Sequence, residues 1–220
     1  MKIKAIITGT TGMVGEGVLN ACIASSEVEQ IVVINRKPCG VSHPKLKEII
    51  HKDFMDISPI AGQLSGYNAC YFCLGISSVG VSEEVYKQMT YDLTLHVAQV
   101  LAKLNPDMTF CYVSGTGTDS SEKGRLAWAR VKGKTENDLM KLPFKKVYAF
   151  RPGFMKPDKD AKNALGFYAY INWLYPALRG LFPSYISTLR EVGDAMIKIV
   201  NRSYPKQILE VKDIVALAAA

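Results

Sequence analysis

The run Thr8-Gly9-Thr10-Thr11-Gly12-Met13-Val14-Gly15 has the residue types and spacing to hold a phosphate. Glycines three apart let the backbone turn sharply at Gly9, come close to a pyrophosphate at Gly12, and pack a helix on a strand at Gly15. The N–H groups that open the following helix attract anions. Gly9, Thr10, Thr11, Gly12, Met13 and Val14 are therefore the candidate phosphate contacts. Some twenty residues further on stands Asn35-Arg36-Lys37, where an NAD-binding chain would carry an acid for the ribose hydroxyls. Arg36 offers a planar fork for a 2′-phosphate, so NADP(H) is the expected cofactor in preference to NAD(H). The plainer reading of Arg36 is a solvated loop residue.

Such a turn works only between a strand and a helix, and the surrounding sequence supplies both. Short runs rich in β-branched and aromatic residues at 3–8, 31–35, 69–74, 109–113 and 146–150 predict buried parallel strands. A shorter run at 48–51 fits between the second and fourth, and 208–211 adds one near the C-terminus. Val14, Val18, Leu19, Cys22 and Ile23 form one helical stripe; Val85, Met89, Leu93, Val97, Val100 and Leu104 form another, closed by Pro106. Alternating strand and helix imply an α/β fold with a doubly wound, mostly parallel Rossmann sheet in the order 3-2-1-4-5-6. Residues 152–190 read as a helical aromatic cap with Phe154, Phe167, Tyr168, Tyr170, Trp173, Tyr175 and Phe182. One domain spanning 1–220 is expected.

The net charge of +7, from 27 Lys and Arg against 20 Asp and Glu, is spread along the chain, without an Arg-rich arm or a helix-turn-helix pattern. A nucleic-acid partner is not expected; a mildly basic surface suits phosphorylated small molecules. The five cysteines are odd in number, and the Cys70/Cys73 pair points to opposite strand faces, so neither disulfides nor a metal site is expected. The opening Met1-Lys2-Ile3-Lys4 runs straight into a strand, and no apolar run is long enough for a membrane span. The cytoplasm is the expected location.

These residues resemble the atypical short-chain dehydrogenase/reductase superfamily, and are similar to its NAD-dependent epimerase/dehydratase and Tat-interacting-protein-like oxidoreductase branch. The likeness extends to Asp53-Phe54, Leu74-Gly75, Ser114, Lys132-Gly133, Arg151-Pro152-Gly153 and Leu189-Arg190-Glu191-Val192. It implies Asp53 and Phe54 beside the adenine, Leu74 and Gly75 under the ribose, Lys132 on the nicotinamide ribose and Pro152 near the carboxamide, with Ser114 polarising a substrate carbonyl. Each has a plainer alternative: Gly75 and Pro152 as turn residues, Lys132 as a solvated helix charge, Ser114 as a strand-end hydroxyl. The family's reducing members place a Tyr four residues before the Lys, where the ammonium favours the phenolate. Here that position is Trp128, whose indole N–H cannot usefully exchange a proton near neutral pH.

Two functions follow, and a third is weaker. The first is an oxidoreductase on a small carbonyl or alcohol, with catalytic candidates Ser114, Lys132 and Trp128, assisted by water or by a hydroxyl of Thr116, Thr118 or Tyr86. The second is a non-catalytic NADPH-binding sensor that acts through a partner. The third is a membrane-surface protein using residues 164–182. The 83–104 helix could also pair with a twin to form a homodimer.

Overall fold

The computed structural model describes residues 1–157, 162–163 and 175–220. Seven parallel strands form the central sheet: β1 (Ile3–Thr8), β2 (Val28–Asn35), β3 (Leu46–Ile50), β4 (Ala69–Phe72), β5 (Thr109–Val113), β6 (Lys146–Arg151) and, after a small side sheet, β9 (Ile208–Glu210). Their order is β3-β2-β1-β4-β5-β6-β9, the expected doubly wound order with the C-terminal strand added beyond β6. The side sheet pairs β7 (Phe154–Lys156) with β8 (Ile186–Thr188) in parallel. Sequence periodicity missed it, because a three-residue strand carries too little pattern to register.

The strands read as continuous apolar runs because both faces are covered. In β1, Ile3, Ala5 and Ile7 face one side, while Ile6 faces the other. Tyr71 and Cys70 divide the same way in β4, as do Cys111 and Phe110 in β5. The period of two is the strand's own. The first face is packed by α1 (Met13–Ala24), α6 (Leu189–Asn201) and α7 (Val211–Ala219); the second by α3 (Leu93–Leu104), with α4 (Ala127–Leu139) beside it. A short α5 (Tyr175–Leu181) precedes β8.

Several expected boundaries shift. β4 ends at Phe72, so Cys73 and Leu74 belong to the loop that follows. Val211 opens α7 and does not extend β9: Glu210 and Asp213 form a reciprocal capping box that starts the helix there. The long stripe at 85–104 is not one α-helix, since α2 (Glu83–Lys87) runs through a π-helical turn at Gln88–Asp92 before α3. Of the expected aromatic cap, Phe167, Tyr168, Tyr170 and Trp173 lie outside the described residues.

Candidate functional site

The glycine turn sits at the C-terminal end of β1 and opens α1, the place where a doubly wound sheet receives ligands. Gly9 takes φ +73°, and a Cβ there would stand 2.8 Å from the Cys73 carbonyl, so both conformation and space require glycine. The turn is closed by the Gly12 N–H donating to the Gly9 carbonyl at 3.0 Å. Gly12 caps α1 without a side chain, which leaves the first-turn N–H groups of Met13 and Val14 for a ligand. Thr10 is turned inward: its hydroxyl and the Asn35 amide bond each other, at 2.7 and 3.0 Å, tying the turn to the end of β2.

From this turn a cleft of about 770 Å³ runs across the strand ends, within the range of small-molecule sites. Thr11, Gly12, Met13 and Val14 form one wall, Leu74 and Gly75 the next, and Ser114, Lys132 and Pro152 the far end. A second hollow of about 120 Å³ adjoins it through Leu74, Gly75 and Ile76, lined by Arg36, Lys52, Asp53, Phe54, Met89 and Leu93. The structure thus brings together from separate loops most of the residues singled out in the sequence. A Cβ at Gly75 would meet nothing within 4 Å, so the groove floor is open there, as a bound dinucleotide needs. The residues present fit such a group. Lys52, Ile76, Met155 and Asn163 were missed by sequence reasoning. Lys52 alone carried a signal, a cation directly before Asp53-Phe54.

A carboxylate does approach the end of β2, although from β3: Glu48 Oε1 accepts from the Asn35 amide at 2.9 Å and the Cys39 N–H at 2.8 Å. Burial raises its pKa, yet these hydrogen bonds prevail and hold it below the usual value. It lines neither hollow, so the ribose end of the groove is faced by Arg36 and Lys52.

At the far end, Glu136 of α4 is buried against Arg151 of β6, with contacts of 2.5 and 3.0 Å; Arg151 also reaches Glu210 at 3.2 Å. Ser114 Oγ lies 2.5 Å from Glu136 Oε1 and 3.1 Å from the Phe150 carbonyl. Both neighbours are acceptors, so the single hydroxyl proton points into the protein and Ser114 offers the cleft lone pairs only. To polarise a carbonyl, the role expected of it, the hydroxyl would have to turn away from these two acceptors. Lys132 Nζ donates to the Ser114 carbonyl oxygen, and burial lowers its pKa to about 8 although the Glu136 charge pulls it up.

Trp128 does stand one turn before Lys132 on α4, but it does not line the cleft. Its ring lies over Gly117, where an added Cβ would be 3.3 Å from Cη2. Gly117, without a side chain and at φ +88°, leaves the space the indole fills. Of the alternative hydroxyls, Tyr86 is buried on α2, Thr118 donates to the Gly115 carbonyl at 2.7 Å, and Thr116 donates to the Arg151 carbonyl at 3.2 Å. Thr116 lines a third, apolar hollow of about 490 Å³ beyond Pro152, with Phe154, Leu178, Phe182 and Ile186. Among the described residues no His, Cys, Asp or Glu cluster could hold a metal, and no helix is long and apolar enough to cross a membrane.

A glycine turn at the switch point of a seven-stranded parallel sheet, continued by an open groove, defines a Rossmann-type dinucleotide-binding fold. Residues 5–125 match the NAD dependent epimerase/dehydratase family, and the chain belongs to that family. It is 23% identical over 203 residues to the mitochondrial protein FMP52 of Debaryomyces hansenii, covering 90% of this chain and 88% of that one. It is 30% identical over 140 residues to the leucinostatins biosynthesis cluster protein T of Purpureocillium lilacinum, covering 62% of this chain and about half, 51%, of the relative. A short chain dehydrogenase from Burkholderia cenocepacia, solved in complex with NADP, superposes with a TM-score of 0.67 at 14% identity, covering all of this chain and 93% of that one. FMP52 proteins of Scheffersomyces stipitis, Meyerozyma guilliermondii and Candida glabrata are likewise named mitochondrial. These names overturn the expected cytoplasmic location, which rested on the residues that open the chain and on the lack of a long apolar run.

Proposed function

We propose that this protein is an NADP(H)-dependent oxidoreductase acting on a small carbonyl compound or the corresponding alcohol. The observation that carries this reading is the continuity of the groove, with the cations Arg36 and Lys52 at one end and Lys132 at the other. The N–H groups of Met13 and Val14 would meet the pyrophosphate, Phe54, Met89 and Leu93 the adenine, and Arg36 and Lys52 a 2′-phosphate. A nicotinamide held at the far end supplies hydride chemistry. The apolar hollow beyond Pro152 supports a substrate with an apolar substituent. The second reading, a non-catalytic NADPH-binding sensor that uses the same site and acts through a partner, is an outcome of the test below.

Calorimetry should show tighter binding of NADPH than NADH, since hydrogen bonds to a charged group contribute about 1.5–3 kcal/mol. Arg36→Asp should reverse that order, with NADPH weakened about tenfold or more. Equal affinities in the native protein would remove the preference for NADP(H). NADPH oxidation against a panel of aldehydes, ketones and quinones then tests turnover; tight binding with no oxidation would establish a sensor in place of an enzyme.

A further inference from the structure

Carbonyl reduction needs a proton at oxygen as well as a hydride at carbon, and the described wall of the cleft has few groups able to give one. Ser114 directs its only proton to Glu136 or the Phe150 carbonyl. Trp128 packs on Gly117, outside the cleft. The hydroxyls of Thr11 and Ser77 and the amide of Asn163 line the cleft but do not exchange protons near neutral pH. Cys73 is the other titratable group on the wall, and burial pushes its thiol up to about 12.

Lys132 differs from all of these. One Nζ hydrogen is taken by the Ser114 carbonyl oxygen, which fixes the side chain and leaves two hydrogens uncommitted in that contact. We propose that Lys132 is itself the general acid of this site, its ammonium delivering the proton to the carbonyl oxygen in place of the family's tyrosine. The inference rests on the reductase reading above and adds the residue that completes it. In the step, the carbonyl carbon takes the hydride that the bound cofactor supplies, the C=O π pair moves to oxygen, and an Nζ–H bond breaks to form the O–H bond. The nitrogen keeps its electron pair, and the neutral amine regains a proton from water. The reverse sequence oxidises an alcohol.

The surroundings suit an amine that must cycle between the two states. On α4 the Glu136 carboxylate, one turn on, favours the ammonium, but that charge is shared with Arg151 from β6. Just after β5 the Ser114 carbonyl accepts from it, and Cys73 following β4 is uncharged. On α1, Glu16 is turned to the N–H groups of Lys162 and Asn163, both at 2.8 Å. Burial without full neutralisation brings the ammonium down to about 8, near the value at which a general acid works best at physiological pH.

Two measurements test this. In the cofactor-free protein, competitive labelling with acetic anhydride across pH 6–11, read by mass spectrometry, should show Lys132 titrating near 8 while exposed lysines titrate at their ordinary value of about 10.4. Lys132 titrating with the other lysines overturns the proposal. Reduction of 4-nitrobenzaldehyde with NADPH should be full below pH 8 and fall about tenfold per unit as Lys132 deprotonates. Lys132→Arg keeps the charge but cannot release a proton, so it should lose about 10²–10⁴-fold in rate and the break near 8, with NADPH affinity held within a few-fold. Lys132→Ala should regain rate with added methylammonium. Native turnover with an arginine variant within fivefold overturns Lys132 as the acid and leaves the reductase reading standing. NADPH binding without any native turnover overturns both.

Discussion

The Gly12→Val variant is expected to lose NADPH binding by about 10²–10⁴-fold while its melting temperature stays within a few degrees of the native protein. Gly12 has φ −112° and ψ 164°, an extended conformation that valine adopts readily, so no backbone strain follows. A Cβ there would lie 3.4 Å from the Gly9 carbonyl, an ordinary contact, and would meet nothing else of the protein within 4 Å. The added isopropyl group therefore projects where a pyrophosphate must approach the N–H groups of Met13 and Val14. Two charge-assisted hydrogen bonds at about 1.5–3 kcal/mol each set the expected loss. Calorimetry and thermal melting with and without NADPH separate binding from folding. A variant that NADPH still stabilises would show that the phosphate does not sit at this turn.

The second large effect is on stability. Glu136→Gln removes one charge of a pair whose side chains are 0% and 10% exposed, with almost no change in volume. Breaking a buried pair by removing one partner costs about 3–5 kcal/mol, because the remaining ion is left without compensation. Glu210 still reaches Arg151 at 3.2 Å but is half exposed, so it offsets little. In a chain of this size the melting temperature should fall by about 6–20 °C. Glu136→Gln combined with Arg151→Met should recover part of that loss. A single variant that melts with the native protein would mean the pair is not desolvated as the geometry shows.

The parts of the site that could be read along the chain are those whose physics is local. A glycine turn after a strand announces itself because the turn, the helix N-terminus and the strand are contiguous, and each demands particular residues. Arg36, Asp53, Leu74, Ser114 and Pro152 follow strands that apolar runs had already marked, so their convergence at one edge follows from parallel topology. Met89 and Leu93 read as core stripe yet line the small hollow, beside a π-helical turn that a regular helical period does not anticipate.

The sequence by itself determined the α/β class, the strand order and the glycine turn that opens the first helix, because these depend on period, spacing and backbone chemistry over short stretches. Only the tertiary structure decided what the polar groups do. Glu48 reaches Asn35 across thirteen residues, Arg151 reaches Glu136 across fifteen, and Ser114 finds Glu136 across twenty-two. Whether a hydroxyl donates to a ligand or into the protein, and whether an indole faces a cleft or a glycine, depends on neighbours brought together by folding. Such pairings leave no periodic trace in the chain, so Ser114, Trp128 and Lys132 could be named from sequence but their protons could not be placed.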